Sequence, residues 1–209
     1  MTHEATTGAT LTHLDDATRA LVRLSAALAA GDEGDVRGAL QFAAGITPHE
    51  WIEELLLQTY LFAGFPRALN GMREWRRITP TPAAATLAPG SADTDAAGQQ
   101  TCAHVYGGMY DRLRHNIATL HPRLDDWMIS EGYGKVLSRP ALDLARRELC
   151  IVSACAASGQ DRQLQSHLHG ARNVGVADST IGDALEALSG IIPAALFDRA
   201  GRLWRRLAA

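Results

Sequence analysis

The sequence predicts an all-α protein in which one helical unit occurs twice. Apolar residues recur at helical spacing over most of the 209 residues, and we find no alternating segment of strand length between hairpin turns. The two halves also share a pattern of residues, which two tandem repeats explain. The predicted organisation is a first repeat over residues 1–78, a linker over 79–102 and a second repeat over 103–209.

The composition is ordinary for a globular protein and disfavours several classes of partner. Hydrophobic residues make up 46% and charged residues 21% of the chain, and the formal net charge is −3. This balance provides no concentrated basic face for nucleic acid. The first sixteen residues lack the pattern of a secretory signal, and no apolar run reaches the ~18 residues of a membrane span. We expect a cytoplasmic protein that binds neither nucleic acid nor membranes.

Helix start and stop signals divide the first half into four segments. Thr47, Pro48 and Glu50 form the pattern of a capping box, with proline at the first helical position. Glycine and proline end the other segments. The predicted helices are 16–31, 35–44, 48–63 and 66–77.

Residues 79–101 are rich in Pro, Ala, Thr, Ser and Asp, with Leu87 as the large apolar side chain. Such a composition buries too little surface to offset the entropy of ordering, so a linker is predicted. Beyond it the pattern is helical again, with a loop at 138–140. The predicted helices are 103–120, 124–133, 142–158, 161–174, 179–188 and 194–207.

The repeat is visible when the two halves are aligned. Residues 19–31 line up with 147–159, and after a shift of two residues, 44–46 line up with 174–176. Chance similarity between Ala/Leu-rich helices is the alternative, but duplication explains the register more simply. In this alignment Ala20 stands opposite Glu148 and Arg37 opposite His167.

A set of polar residues in the second half could perform chemistry. Eighteen residues separate Glu148 from His167, which places them on successive helices. A carboxylate and an imidazole that meet there form a proton-transfer pair. Gln163 shares a helix face with His167, and Arg147 could receive a substrate carboxylate through two hydrogen bonds. A solvated helix face with a histidine that is at the surface or satisfied in the core is the alternative.

The stretch RRELCIVSACAASGQDRQLQSHLHGARNVGV, residues 146–176, resembles the core signature of the carboxymuconolactone decarboxylase family. Residues 45–70 resemble a second conserved portion of that family. The resemblance implies a helical carboxymuconolactone decarboxylase-like fold with two tandem repeats. It also implies a lyase that needs no metal or cofactor and decarboxylates a carboxylated lactone or a related small cyclic acid. It further implies a homo-oligomer, either a trimer or a dimer of double units.

The resemblance assigns roles to individual residues. His167 would be the acid/base and Glu148 its orienting partner, while Arg147 would bind the substrate carboxylate and Gln163 would donate a hydrogen bond. From its position just before a loop, Tyr133 is a candidate substrate-binding residue at the pocket entrance, with a packed tyrosine as the alternative. The first repeat, lacking the pair, would supply the pocket wall and oligomer contacts.

One departure from the family bears on redox chemistry. The branch similar to the D protein of alkyl hydroperoxide reductase carries Cys-x-x-Cys where this chain has Gln160 and Gln163. Glutamine cannot exchange disulfides, so a thiol peroxidase or disulfide reductase is disfavoured. Two further functions stay open: an isomerase or ring-opening enzyme acting on a lactone, quinone or polyketide-like substrate, and a non-catalytic ligand-binding or assembly scaffold.

Overall fold

The computed structural model describes residues 10–80 and 94–209. The all-α prediction is confirmed, since the pairing outside helices in these residues is one isolated bridge between Leu11 and Val176. None of the described helices is long and apolar enough to cross a membrane. The helices are α1 Asp16–Ala30, α2 Glu33–Ala44, α3 His49–Ala63, α4 Phe65–Ile78, α5 Thr94–Tyr106, α6 Tyr110–Leu120, α7 Pro122–Trp127, α8 Leu144–Ala157, α9 Asp161–Asn173, α10 Asp178–Glu186 and α11 Ala194–Ala208, with a 3₁₀ turn at Gly107–Met109 and a π-helix at Met128–Leu137.

The two halves pack into each other through α1 and α8. Ser25 Oγ donates to the carbonyl oxygen of Cys150 at 2.7 Å, and Ser153 Oγ donates to that of Val22 at 2.6 Å. Both side chains are buried, and both bonds lie at the crossing of the two helices. Buried hydroxyls need such partners, so these bonds fix how the helices cross.

Each hydrophobic core draws on both halves of the chain. Leu14, Val22 and Ala26 from the first half lie in the core formed mainly by the second half. In return, Leu142 and Cys150 lie in the core formed mainly by α1 to α4. Burial of these side chains therefore stabilises both halves together.

The starts of α1 and α8 are capped in the same way. Asp15 accepts a hydrogen bond from Thr18 N at 2.7 Å, and Asp143 accepts one from Arg146 N at 2.9 Å. Arg146 also donates to the carboxylates of Asp15, at 2.9 Å, and Asp143, at 2.7 Å. One guanidinium thus joins two N-caps, each of which satisfies a free helix N–H.

The predicted capping box at the start of α3 is wrong. The helix begins at His49, and Pro48, at the cap position, makes no side-chain cap bond. Thr47 is 5% exposed, and its hydroxyl donates instead to the carbonyl oxygen of Ala17 at 3.4 Å. The Thr47 hydroxyl thus makes a tertiary contact with α1 instead of the local capping bond.

The predicted linker over 79–102 is wrong at its C-terminal end, because α5 begins at Thr94. The part at 81–93 lies outside the described residues. A Cβ atom added to Gly98 would overlap the carbonyl oxygen of Ile129, and one added to Gly134 would overlap that of Thr94. Because Gly98 and Gly134 have no side chains, the backbones of α5 and the π-helix pack directly against each other. This contact holds α5 without large side chains.

Two predicted helices of the second half are divided in the structure. The segment predicted at 103–120 breaks at Gly107, whose φ is +53° and which begins the 3₁₀ turn. The segment predicted at 124–133 is α7 followed by the π-helix. The loop predicted at 138–140 is present between the π-helix and α8.

Candidate functional site

Glu148 and His167 meet in the interior, between α8 and α9. The distance from His167 Nδ1 to Glu148 Oε2 is 2.8 Å. Glu148 is 0% exposed and His167 is 5% exposed. The structure therefore brings together the two residues that the spacing placed on successive helices.

Two glycines make this approach possible. Gly159, with φ of +68°, lies in the turn that reverses the chain between α8 and α9. A Cβ atom at Gly170 would lie 2.7 Å from Glu148 Oε2 and 2.8 Å from Val105 Cγ1. The absence of a side chain at Gly170 thus leaves room for the carboxylate between α5, α8 and α9.

The hydrogen bond engages Nδ1 of His167 and Oε2 of Glu148, and it leaves Nε2 and Oε1 for other partners. In the arrangement in which the carboxylate accepts, Nδ1 of His167 carries the shared hydrogen and Nε2 remains for proton exchange. Glu148 Oε1 is buried and accepts no hydrogen bond from the described residues. A buried oxygen without a donor costs about 1–3 kcal/mol, which favours a water or ligand donor at this position.

Aromatic rings surround the imidazole. Phe62 of α3 lies edge-on to His167 with ring centroids 5.6 Å apart, and Tyr106 of α5 lies 6.4 Å away. The side chain of His167 is 7% exposed, so a small part of it reaches solvent. The ring contact of Phe62 shows that the first half supplies part of the wall of the candidate site.

Tyr106 and Tyr133 form a pair behind His167. Their ring centroids are 6.2 Å apart, and their hydroxyls hydrogen-bond to each other. Burial, together with the nearby charge of Glu148, raises the pKa of both phenols, so both remain protonated donors at neutral pH. Each hydroxyl can donate or accept, so the bond between them occupies one of the two O–H donors and leaves the other for a ligand.

Tyr133 therefore does not line a pocket entrance as predicted, because it is 4% exposed and lies in the inner wall. Tyr106 was not predicted as a site residue. The predicted linker ended at 102 and gave no reason to place the following residues beside α9. Only the close packing of α5 brings the Tyr106 ring to His167.

Arg147 is not a substrate clamp. Its side chain is 0% exposed and donates to Glu54 Oε2 at 2.7 Å and Gln58 Oε1 at 3.2 Å. It also donates to the carbonyl oxygens of Leu142 and Arg139, both at 3.0 Å. Adjacent residues on a helix point about 100° apart, so Glu148 faces α9 while Arg147 faces α3. Through its bonds to Glu54 and Gln58, Arg147 joins α8 of the second half to α3 of the first half.

The glutamines that replace the Cys-x-x-Cys pattern lie at the surface. Gln160 and Gln163 are exposed, the latter one turn before His167. His169, two residues beyond His167, is exposed as well. A hydrogen bond from Gln163 to a substrate thus stays a prediction and requires a ligand that reaches the outer edge of the pair.

The cysteines are buried free thiols. Burial raises the pKa of Cys102, Cys150 and Cys155 to about 12, so they carry little thiolate at neutral pH. Within residues 10–80 and 94–209, no group of three or more His, Cys, Asp and Glu is placed to hold a metal ion.

The equivalence of the two halves stays a prediction. In the predicted alignment Ala20 of α1 stands opposite Glu148 and Arg37 of α2 opposite His167. Counted from the first residues of α2 and α9, Ala39 and His167 are both the seventh residue. Arg37 is paired with Glu74 of α4 at 3.0 Å.

Comparison with known proteins supports the resemblance in the second half. Residues 122–199 match the carboxymuconolactone decarboxylase family, a range that includes Tyr133, Glu148 and His167. Peroxisomal protein 2 of Schizosaccharomyces pombe is 28% identical over 137 residues, which are 64% of this chain and 64% of that protein. The alignment thus spans less than two thirds of that relative.

Proposed function

Because residues 122–199 form a carboxymuconolactone decarboxylase family domain, we propose that this chain is a cofactor-independent decarboxylase-like enzyme. Its substrate would be a carboxylated lactone or a related small cyclic acid. The buried hydrogen bond of 2.8 Å between Glu148 and His167 carries the proposal. Burying such a pair costs free energy, so its position beside solvent and aromatic rings favours a functional role.

The reaction has two steps that the protein must assist. The bond between the ring carbon and the carboxylate breaks, CO2 leaves, and the electron pair spreads onto the lactone carbonyl. A carbon of the resulting enolate then takes up a proton. Catalysis therefore needs donors near the enolate oxygen and an acid near the carbon.

His167 is the proposed acid. Its Nε2 would deliver the proton to carbon and recover one from solvent, which reaches a small part of the side chain. Glu148 is a positioning residue in this scheme, since it fixes the tautomer and stabilises the imidazolium before proton transfer. Tyr106, whose ring centroid lies 6.4 Å from that of His167, would donate a hydrogen bond from its hydroxyl to the enolate oxygen.

The substrate carboxylate needs no cation in this scheme. A carboxylate in an apolar site is destabilised, whereas the CO2 that it becomes is neutral, so low polarity favours the bond cleavage. Phe62 and Tyr106, whose ring centroids lie 5.6 Å and 6.4 Å from that of His167, provide such surroundings. This role of the aromatic wall replaces the clamp that Arg147 was expected to form.

The test is CO2 release from 4-carboxymuconolactone and a panel of carboxylated lactones. We expect His167→Ala to slow release by about 100-fold or more, the usual contribution of a positioned acid or base. The matched control is His169→Ala, because that histidine is exposed two residues further along the same helix. Release that survives His167→Ala unchanged, or no release by the wild type from any compound, would contradict the proposal.

The location in the cell is a separate matter. A cytoplasmic location stays a prediction from the sequence, while the name of the fission yeast relative connects that protein with peroxisomes. Imaging of the tagged full chain in its own cells would decide between the two without affecting the proposed reaction.

A further inference from the structure

An open groove of about 560 Å³ lies against α1 and α2, with the turn after α10 at its edge. Its volume falls within the range of about 300–1,000 Å³ that small-molecule sites occupy. The walls are formed mainly by small or apolar residues, among them Ala20, Ala27, Gly38, Ala39, Phe42 and Ile191. Phe42 is 57% exposed and Ile191 37% exposed, so apolar surface faces the groove and solvent together.

Arg23 is a cation in this groove without a partner among the described residues. It lines the groove and is half-buried, and its side chain makes no hydrogen bond or ion pair within residues 10–80 and 94–209. Arg146 and Arg147 of α8, by contrast, are each paired with carboxylates. A half-buried guanidinium is best matched by a carboxylate, which can accept two parallel hydrogen bonds.

The other charged residue of the groove is already engaged in the start of α2. Asp35 Oδ2 accepts a hydrogen bond from Asp32 N at 3.0 Å, and Asp32 Oδ1 accepts one from Asp35 N at 2.9 Å. Asp35 would repel an anion placed beside it. The carboxylate of a ligand therefore belongs at Arg23, and its uncharged body belongs elsewhere in the groove.

If the two halves are repeats, as their alignment predicts, the groove corresponds to the candidate active site of the second half. Ala20 and Ala39 stand where the second half has Glu148 and His167. In the second half, α5 covers this region, since a Cβ atom added to Gly170 of α9 would lie 2.8 Å from Val105 Cγ1 of α5. In the first half the region is open, the carboxylate is gone and a guanidinium is present, so the charge preference is reversed.

We propose that this groove binds a small apolar carboxylic acid as its anion. Arg23 pairs with the carboxylate, while Ala39 and Phe42 contact the hydrocarbon body. The site is separate from the Glu148–His167 pair and needs no turnover there. It therefore stands or fails independently of the decarboxylase proposal.

Calorimetric titration of the full chain tests this site, with cyclohexanecarboxylate as the probe. We expect measurable binding to the wild type and at least about ten-fold weaker binding to Arg23→Gln, because one charge-assisted pair is lost. Cyclohexanecarboxamide, which has the same shape without the charge, should show a similar loss with the wild type. Arg202→Gln is the matched control, because Arg202 is exposed and does not line the groove.

A second variant tests the groove without disturbing the fold. A Cβ at Gly38 meets no atom within 4 Å, so Gly38→Leu fits on α2 and fills the groove. We expect it to abolish binding of the acid, and helical melting monitored by circular dichroism should show that the protein remains folded.

Three results would overturn the proposal. The first is no binding of the acid by the wild type, and the second is binding that survives both Arg23→Gln and Gly38→Leu. The third is binding lost in His167→Ala but retained in Arg23→Gln, which would place the acid in the candidate active site. If the two groove variants instead change the sedimentation of the protein and leave acid binding unaltered, the groove is an interface between copies of the chain.

Discussion

The neighbouring residues Arg147 and Glu148 face different parts of the molecule, and this decides what each can do. Glu148 points towards α9 and His167, with one carboxylate oxygen bonded and the other free of donors from the described residues. Arg147 points towards α3 and is bonded to Glu54 and Gln58. A charge held in this way contributes to the fold and cannot reach a substrate.

Replacing Arg147 tests its structural role. We expect Arg147→Met to lower the free energy of unfolding by about 3–5 kcal/mol, because the change leaves the buried carboxylate of Glu54 with one cation fewer. Urea denaturation would measure the change, with Arg202→Met, at an exposed position, as the control. A variant as stable as the wild type that has lost only substrate affinity would restore the clamp interpretation.

At the scale of the elements, glycine determines how closely helices approach. Gly98 on α5 and Gly134 on the π-helix lie against backbone of the opposite helix. This contact between α5 and the π-helix also positions Tyr106 and Tyr133 beside the candidate site. An alanine- and glycine-rich segment can thus be well packed without forming a conventional apolar stripe.

Two glycines of the π-helix provide a matched test. Gly134→Ala should destabilise the protein, because its Cβ would overlap the carbonyl oxygen of Thr94, and we expect a loss of about 1–3 kcal/mol. Gly132→Ala should cause no loss, since a Cβ there meets nothing within 4 Å. Thermal melts of both variants would show the difference; equal melting temperatures would mean that α5 is not held at this contact.

At the scale of the whole molecule, the predicted duplication becomes a proposal supported by symmetric contacts. Ser25 and Ser153, which are aligned in the repeat, donate to carbonyl oxygens of each other's helix. The aligned Asp15 and Asp143 both cap their helices. A duplicated unit that pairs with its own copy would produce such reciprocal contacts.

The ion pairs of Glu54 on α3 with Arg147 on α8 and with Arg139 in the loop before it make the stability of the joined halves depend on pH. Burial would raise the pKa of Glu54, but hydrogen bonds from Arg139 and Arg147 outweigh it and hold that pKa below its usual value. Burial lowers the pKa of Arg147, yet an arginine starts above 12 and stays charged. The stabilisation is thus fully present above the unfolded pKa of about 4.3 and is lost as the pH falls through the lower folded value.

We therefore expect the free energy of unfolding to fall as the pH drops below about 4, and Glu54→Gln to make this slope shallower. Urea denaturation at a series of pH values would measure it. Glu50→Gln, at an exposed position on the same helix, should leave the slope as in the wild type. A slope that is identical in Glu54→Gln would mean that Glu54 titrates alike in the folded and unfolded chain.

Most of the helices and the meeting of Glu148 with His167 could be predicted from the chain alone. Apolar periodicity and the glycine and proline residues that end helices act over a few residues, so they are visible without knowing what packs against them. Contacts between distant segments set the fold of α5, the position of Tyr106 and the burial of Arg147, whose partner Glu54 is 93 residues away. No local pattern records such a contact, because the free energy of burial depends on what covers the side chain rather than on its neighbours in sequence.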